Sequence, residues 1–231
     1  MAQPTPDLTA EAALFAQGAT SVAGIDEVGR GAWAGPVSVG VVVIRSVDDE
    51  APEGLRDSKL LTPNARRRID PLVRAWAAEH AVGHATPQEC DALGMRAAIA
   101  LASSRALNSL TSVPDAVIVD GPLDLLFPQS LELSALVKDH GWRNNPPTTV
   151  QAIVKADQTC GSVAAASVVA KVERDAIMGS LAESFPAFDF DRNAGYPSPA
   201  HQTALRGYGL TAIHRKSWSF TELVPWSKRV W

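Results

Sequence analysis

Cysteine is scarce in this chain of 231 residues, which holds only Cys90 and Cys160. The two share no Cys-x-x-Cys spacing and no nearby His pairing, which argues against structural zinc and against a disulfide framework. Long apolar runs are also missing. No stretch approaches the roughly 20 residues that a helix needs to cross a bilayer, and no membrane partner is expected. Residues 1–20 contain Asp7 and Glu11 but neither lysine nor arginine, unlike a secretory leader. Together these absences point to a cytoplasmic protein in a reducing compartment. Repeats and low-complexity segments are absent too.

Charge of either sign is in only slight excess. The formal net charge of −4 speaks mildly against a nucleic-acid partner. Its distribution matters more. From Arg192 to Trp231 six basic residues (Arg192, Arg206, Arg215, Lys216, Lys228, Arg229) face one acid, Glu222, so six minus one leaves +5. Arg66-Arg67-Arg68 is a second basic run. Carboxylates gathered for metals would lower the total without preventing a basic groove beside them. What remains is ordinary: 46% apolar and 20% charged residues describe a soluble globular chain, long enough for one large domain with a small appendage.

Patterning predicts an α/β core. Ser38–Arg45 is β-branched and almost continuously apolar, the mark of a strand buried on both faces. Val22–Asp26 reads as its hairpin neighbour across the connection from Gly29 to Pro36. Further strands are expected at Ala81–Ala85, Ala116–Val119 and Thr149–Val154. Helices are expected around Ala10–Gln17, over Thr62–Glu79 with Thr62 as N-cap and Pro63 first, over Pro87–Leu110, and over Ser162–Phe185. In Pro87–Leu110 a buried stripe of Ala92, Met95, Ile99, Ala102 and Ala106 is expected. The interval 124–147 reads mostly as loop. From Ala200 one or two short helices are anticipated, with Trp218, Trp226 and Trp231 as aromatic anchors. Strands early and helices late suggest an α/β core carrying a smaller C-terminal helical part.

Four acids stand where apolar runs stop: Asp26 and Glu27 after Gly24-Ile25, Asp120 after Val117-Ile118-Val119, and Asp157 shortly after Ile153-Val154. Acids at strand ends form poor cores and good ligands for hard cations, which prefer oxygen donors. Two such ions about 4 Å apart can drive phosphodiester cleavage. The residues therefore point to a metal-dependent nuclease. Neighbours on a regular strand face opposite ways, so Asp26 and Glu27 converge only if the strand ends or bulges there.

Other motifs admit two readings each. Gly29-Arg30-Gly31 is either an ordinary turn or a backbone surface that reads a sugar hydroxyl, the group distinguishing RNA from DNA, with Arg30 on the adjoining phosphate. Asp57-Ser58-Lys59 is a phosphate contact or an exposed polar loop. Tyr196, between Gly195 and Pro197, either stacks on a sugar or base or packs into the core. His201 and the His214-Arg215-Lys216 cluster either touch phosphates or form a solvated basic face. The Ala/Ser run at 164–167 reads as packing.

In order and spacing, GIDEVGRGAWAGPV, DSKLLT, VIVDGP, KADQTCGSVAAASVVAKVERD, NAGYPSPAH and GLTAIHRKSW resemble the motifs of bacterial ribonuclease HII, from about residue 22 to 220. The resemblance implies a ribonuclease H-like fold: a mixed five-stranded sheet flanked by helices, with a small helical C-terminal region. Residues 1–20, by their own composition, are expected as a flexible, Pro-containing lead-in with the short helix around Ala10–Gln17, and the resemblance implies 21–185 as the catalytic core and 186–231 as a helical substrate-binding region. It also implies cleavage of RNA in RNA–DNA hybrids and incision 5′ of ribonucleotides embedded in duplex DNA. Asp26, Glu27, Asp120 and Asp157 match the acidic metal ligands, for two Mn²⁺ or Mg²⁺ ions. Gly29, Arg30 and Gly31 match the 2′-OH reader, and Tyr196 the aromatic that stacks on the sugar. Ser58, Lys59 and Arg215 are further candidate substrate contacts. A monomer without a protein partner is expected.

Two rivals bound this reading. A junction resolvase or proofreading exonuclease of the same fold would need the carboxylates but no 2′-OH reader. A non-catalytic nucleic-acid-binding module would find the acids a liability, since bare carboxylates repel phosphate.

Overall fold

The computed structural model describes residues 5–48, 50–121 and 149–224. The interval expected as loop at 124–147, and Trp226 and Trp231, lie outside the described residues. Five strands form one mixed sheet: β1 (Val22–Val28), β2 (Val37–Ile44), β3 (Glu79–Ala85), β4 (Ala116–Asp120) and β5 (Thr149–Ile153), in the order β3-β2-β1-β4-β5. β1, β2 and β3 pair antiparallel, whereas β4 and β5 run parallel to β1. Every residue of β2 is buried, as its β-branched run requires of a strand covered on both faces.

Seven α-helices occur among the described residues: α1 (Thr9–Ala16), α2 (Pro63–Trp76), α3 (Pro87–Asn108), α4 (Ala156–Thr159), α5 (Gly161–Ser184), α6 (Phe190–Asn193) and α7 (Pro199–Tyr208). α3 covers one face, against Ala23, Ile25, Val39, Val41, Val117 and Val119. α5 covers the other, with α2 and α1 beside it. The sheet admits α5 closely because its residues there are glycines. A Cβ on Gly24 would stand 2.1 Å from the Ser162 carbonyl carbon, and one on Gly40 2.5 Å from Ala166 O. The Ala/Ser run of α5 is fully buried at this contact, as expected.

Several expectations move. β1 neither ends nor bulges at Asp26-Glu27; its antiparallel register continues through Val28↔Ser38. What stops is the parallel pairing with β4, at Ile25↔Val119. The helix from Pro63 ends at Trp76, because Ala77 turns extended and the Ala78 N–H bonds Val43 O, drawing the chain into β3 from Glu79. α3 begins with a Thr86–Glu89 capping box but is interrupted at Gly94 (φ +76°). That break resets the helical phase, so Ala92 is exposed while Ala97–Ser104 are buried. The segment expected as a flexible lead-in docks from Asp7 onward: Asp7 forms a bridge with Cys160, and Glu11 and Leu14 are buried.

Candidate active site

Alternation along the strands sorts the four acids. Val22 and Gly24 face α5 and α1, so Asp26, two residues further, belongs to that face, as does Asp120 after Ala116 and Ile118. β1 and β4 are parallel, and both acids therefore stand at the same end of the sheet. Asp157 lies in the one-turn helix α4, just before α5 on that face. Glu27 has the opposite parity.

Local chemistry fixes the arrangement. The Asp120 carboxylate accepts the Ala156 N–H at 2.9 Å, tying the end of β4 to the turn that carries Asp157. Lys155 begins that turn in the left-handed region (φ +59°). Asp26 and Asp157 are each only 3% exposed. Burial, then the Glu27 charge, and behind them Asp157 and Asp120, hold the Asp26 carboxyl well above the usual carboxylate range, although Lys59 pulls the other way. Burial also raises Glu27 against the pull of Arg30, whose guanidinium is 3.9 Å away. Asp120 is raised by burial and by Asp157.

Lys59 sits among these carboxylates, its ammonium 3.0 Å from Asp157 Oδ2. Burial alone would lower its pKa, but Asp26, Asp157 and Asp57 more than offset that and raise it. The 3-10 turn Ser58–Leu60 that carries Lys59 is pinned on three sides. Asp57 accepts the Lys59 N–H, Ser167 Oγ accepts the Ser58 N–H, and Arg66 donates to Ser58 O and Leu61 O. Asp57, read from the sequence only as part of a phosphate-contact or exposed polar loop, is a fifth acid here. It is 2% exposed, and burial raises its carboxyl, with Asp157 adding to the rise.

An all-oxygen set of carboxylates facing one ammonium suits hard divalent cations. Among the described residues no three such groups are arranged to hold an ion as they stand. A bound cation would have to draw the carboxylates together and compete with Lys59 for Asp157. Their chemistry fits; their rotamers would need to change.

Beside the acids opens a cleft of about 440 Å³ lined by Glu27, Gly29-Arg30-Gly31, Ser58, Lys59, Lys171 and Tyr196. Gly29 takes φ +87°, and a Cβ there would stand 2.2 Å from Arg174 Nε, so any other residue would be strained and would have to displace Arg174. The loop is clamped from behind: Trp33 N–H bonds Gly195 O, Gly35 N–H bonds Ile213 O, and Arg215 N–H bonds Trp33 O. Tyr196 is half-buried. Its Cε1 would lie 3.8 Å from a Cβ on Gly31, and the Arg174 guanidinium carbon is 5.6 Å from its ring centre.

Two expectations are corrected here, and one residue the sequence did not single out is added. Arg215 is fully buried, donating to Arg30 O and Gly35 O, so it supports the loop instead of touching phosphate. His201 and His214 are likewise enclosed, with 0% and 1% exposure, and form no basic face. Arg174, passed over as part of a helix, is a second enclosed arginine, donating to Pro36 O, Ala194 O and Ala34 O.

The family model described as Ribonuclease HII matches residues 23–221, which spans the sheet, the acids and the cleft. The chain belongs to the ribonuclease HII family. It is accordingly a ribonuclease H, a hydrolase. Ribonuclease HII of Streptomyces griseus is 48% identical over 224 residues, covering 95% of this chain and 86% of that one. The ribonuclease HII of Nitrosococcus oceani is 43% identical over 199 residues, covering 85% and 87%. Among solved structures, ribonuclease H2 of Pyrococcus horikoshii OT3 superposes with a TM-score of 0.65 at 30% identity, over 87% of this chain and 95% of that one. Bst-RNase HIII, solved in complex with Mn²⁺, shares the fold with a TM-score of 0.62 at 22% identity, over 88% and 68%. The ribonuclease H-like fold expected from the motifs is therefore the fold observed. No helix among the described residues is long and apolar enough to cross a membrane.

Proposed function

We propose that this ribonuclease H is a metal-dependent endonuclease that cuts the RNA strand of RNA–DNA hybrids and incises 5′ of ribonucleotides embedded in duplex DNA. The observation that carries this reading is adjacency: the carboxylates of Asp26, Asp120 and Asp157 share one end of the sheet, beside a cleft walled by Gly29-Arg30-Gly31 and Tyr196. Asp26, Glu27, Asp120 and Asp157 would hold two Mg²⁺ or Mn²⁺ ions. Ions bound there would activate water for in-line attack and stabilise the departing 3′ oxygen, leaving 3′-hydroxyl and 5′-phosphate ends. The chain's own residues do the rest. The Gly29-Arg30-Gly31 backbone, unscreened by Cβ atoms, meets the 2′-hydroxyl, and Arg30, on the exposed rim, takes the adjoining phosphate. The Tyr196 ring stacks on the neighbouring sugar. Lys59 and Ser58 line the path of the scissile strand, and residues 186–231 form the substrate-binding part of the molecule.

The deciding assay uses a labelled DNA duplex with one ribonucleotide, incubated with Mg²⁺, with Mn²⁺, and with chelator. Cleavage 5′ of the ribonucleotide is expected with metal only, and none when that position is deoxyribose. Asp120→Asn is expected to abolish turnover. Near-normal cutting by that variant, or equal cutting of the all-deoxy duplex, would refute the reading.

A further inference from the structure

His201, on α7, and His214 meet inside the C-terminal region with their Nε2 atoms 3.0 Å apart. Their hydrogen bonds leave one assignment of protons. Tyr196 O can only accept, so the His201 Nδ1 at 2.9 Å must carry a hydrogen. The Thr211 N–H donates to His214 Nδ1 at 3.0 Å, so that nitrogen is bare. Neutral His214 then bears its hydrogen on Nε2 and donates it to the bare Nε2 of His201. The result is a two-ring relay, His214 to His201 to the carbonyl of Tyr196.

Burial keeps both rings away from substrate. Neither can contact phosphate, since both are enclosed by Trp33, Phe188, Phe190 and Phe220. Their facing nitrogens are taken by each other. What the relay reaches is the loop presenting Tyr196. There Tyr196 N–H bonds Asn193 O, Ser198 N–H shares the Tyr196 carbonyl, and Asn193 Oδ1 holds Gly195 N–H.

We propose that His201 and His214 are positioning residues for Tyr196: their neutral relay fixes its carbonyl, and with it the ring against Gly31, so that the pair governs substrate affinity and leaves the chemical step alone. The inference rests on the reading of Tyr196 as a substrate contact. The groups that act electrostatically on His214 are His201 and Lys216, while on His201 the bond to the Tyr196 carbonyl opposes the effect of burial. Burial, with the partner ring and Lys216 adding to it, holds His214 down to about 3. Protonating His201 would set its Nε2–H against that of His214, and protonating His214 would set an Nδ1–H against the Thr211 N–H, so the arrangement is matched to two neutral rings.

Two substitutions separate positioning from mere packing. His201→Asn keeps an amide N–H near the place of Nδ1 but leaves the His214 Nε2–H without its acceptor, and is expected to raise KM less than His201→Gln does. His201→Gln moves the polar group to the ε position, leaves the Tyr196 carbonyl one donor short, and is expected to raise KM about tenfold with kcat unchanged, the scale of one lost hydrogen bond. In a Tyr196→Ala background His201→Gln should add nothing to KM. Nitrogen-15 imidazole NMR on the wild type should find both rings neutral at neutral pH, His201 protonated on Nδ1 and His214 on Nε2. The opposite tautomers, equal KM values for the two variants, or a His201→Gln effect that persists without Tyr196 would each overturn the proposal. The NMR measurement needs no substrate and no variant that folds. A wild type that cuts no hybrid would instead refute the functional reading and leave the tautomer result standing.

Discussion

Arg174 illustrates how single residues hold this site. Its guanidinium is buried with no carboxylate partner among the described residues, and it satisfies three carbonyls from separate segments. A lysine keeps the charge but cannot span that fork. Arg174→Lys is therefore expected to cost about 2–3 kcal/mol in denaturant unfolding, as buried carbonyls lose their donors. Gly29 is coupled to it, because any Cβ there strikes Arg174 Nε. Gly29→Ala should cost several kcal/mol in the wild type but only about 1–2 kcal/mol in an Arg174→Ala background, where the left-handed backbone strain alone remains. Equal penalties in both backgrounds would show that the two do not meet. Neither buried arginine is legible in the sequence. Arginine is among the residues least often buried, so motif reading takes Arg215 for a phosphate contact. The acids, by contrast, are legible, since a charge ending an apolar run has few uses in a core.

At the scale of elements, the sequence places α5 to within a residue at each end and α3 from Pro87 to within two residues of its end at Asn108, but not the break at Gly94. A long apolar helix announces itself, whereas one glycine breaking helical phase leaves the composition unchanged. The support of α5 is also hidden, because it comes from a distant segment. Glu11 of α1 accepts the Ser162 N–H and hydroxyl at 2.8 and 2.6 Å, at the first turn of α5. Its second oxygen is buried with no hydrogen-bond partner among the described residues. Burial raises the Glu11 carboxyl above its ordinary 4.5, although the bonds from Ser162 oppose the rise. A carboxyl whose folded pKa exceeds its unfolded one stabilises fully below the unfolded value, and that contribution is lost as pH rises through the folded one. Glu11→Gln keeps an acceptor for Ser162 and cannot ionise. The melting temperature of wild type minus that of Glu11→Gln should therefore fall as pH rises from about 4 to about 7. A difference that stays flat or grows would place the ionised form of Glu11 in the folded state.

For the whole molecule, the site is a concentration of like charge that the rest of the fold must restrain. Asp26, Asp120 and Glu27 are each raised by burial and by a neighbouring carboxylate, and Lys59 is the ammonium set against them. The sheet, α4 and the docked N-terminal segment keep these groups together at a cost in stability. A cation that binds the folded state and not the unfolded chain must then stabilise the whole protein, by about 2.7 kcal/mol at a hundred times its dissociation constant. For a chain of this size each kcal/mol moves the melting temperature by about 2–4 °C. Millimolar Mg²⁺ or Mn²⁺ should accordingly raise the melting temperature by several degrees, and K⁺ at equal ionic strength should not. Asp120→Asn should melt above the wild type in chelator, because one repelling charge is gone. It should also lose most of the metal-dependent rise, because one donor is gone with it. The two effects have opposite signs and a common origin in the gathered carboxylates. A wild type indifferent to divalent ions, or an Asp120→Asn variant that gains as much from them as the wild type, would mean that these acids do not act together on a cation.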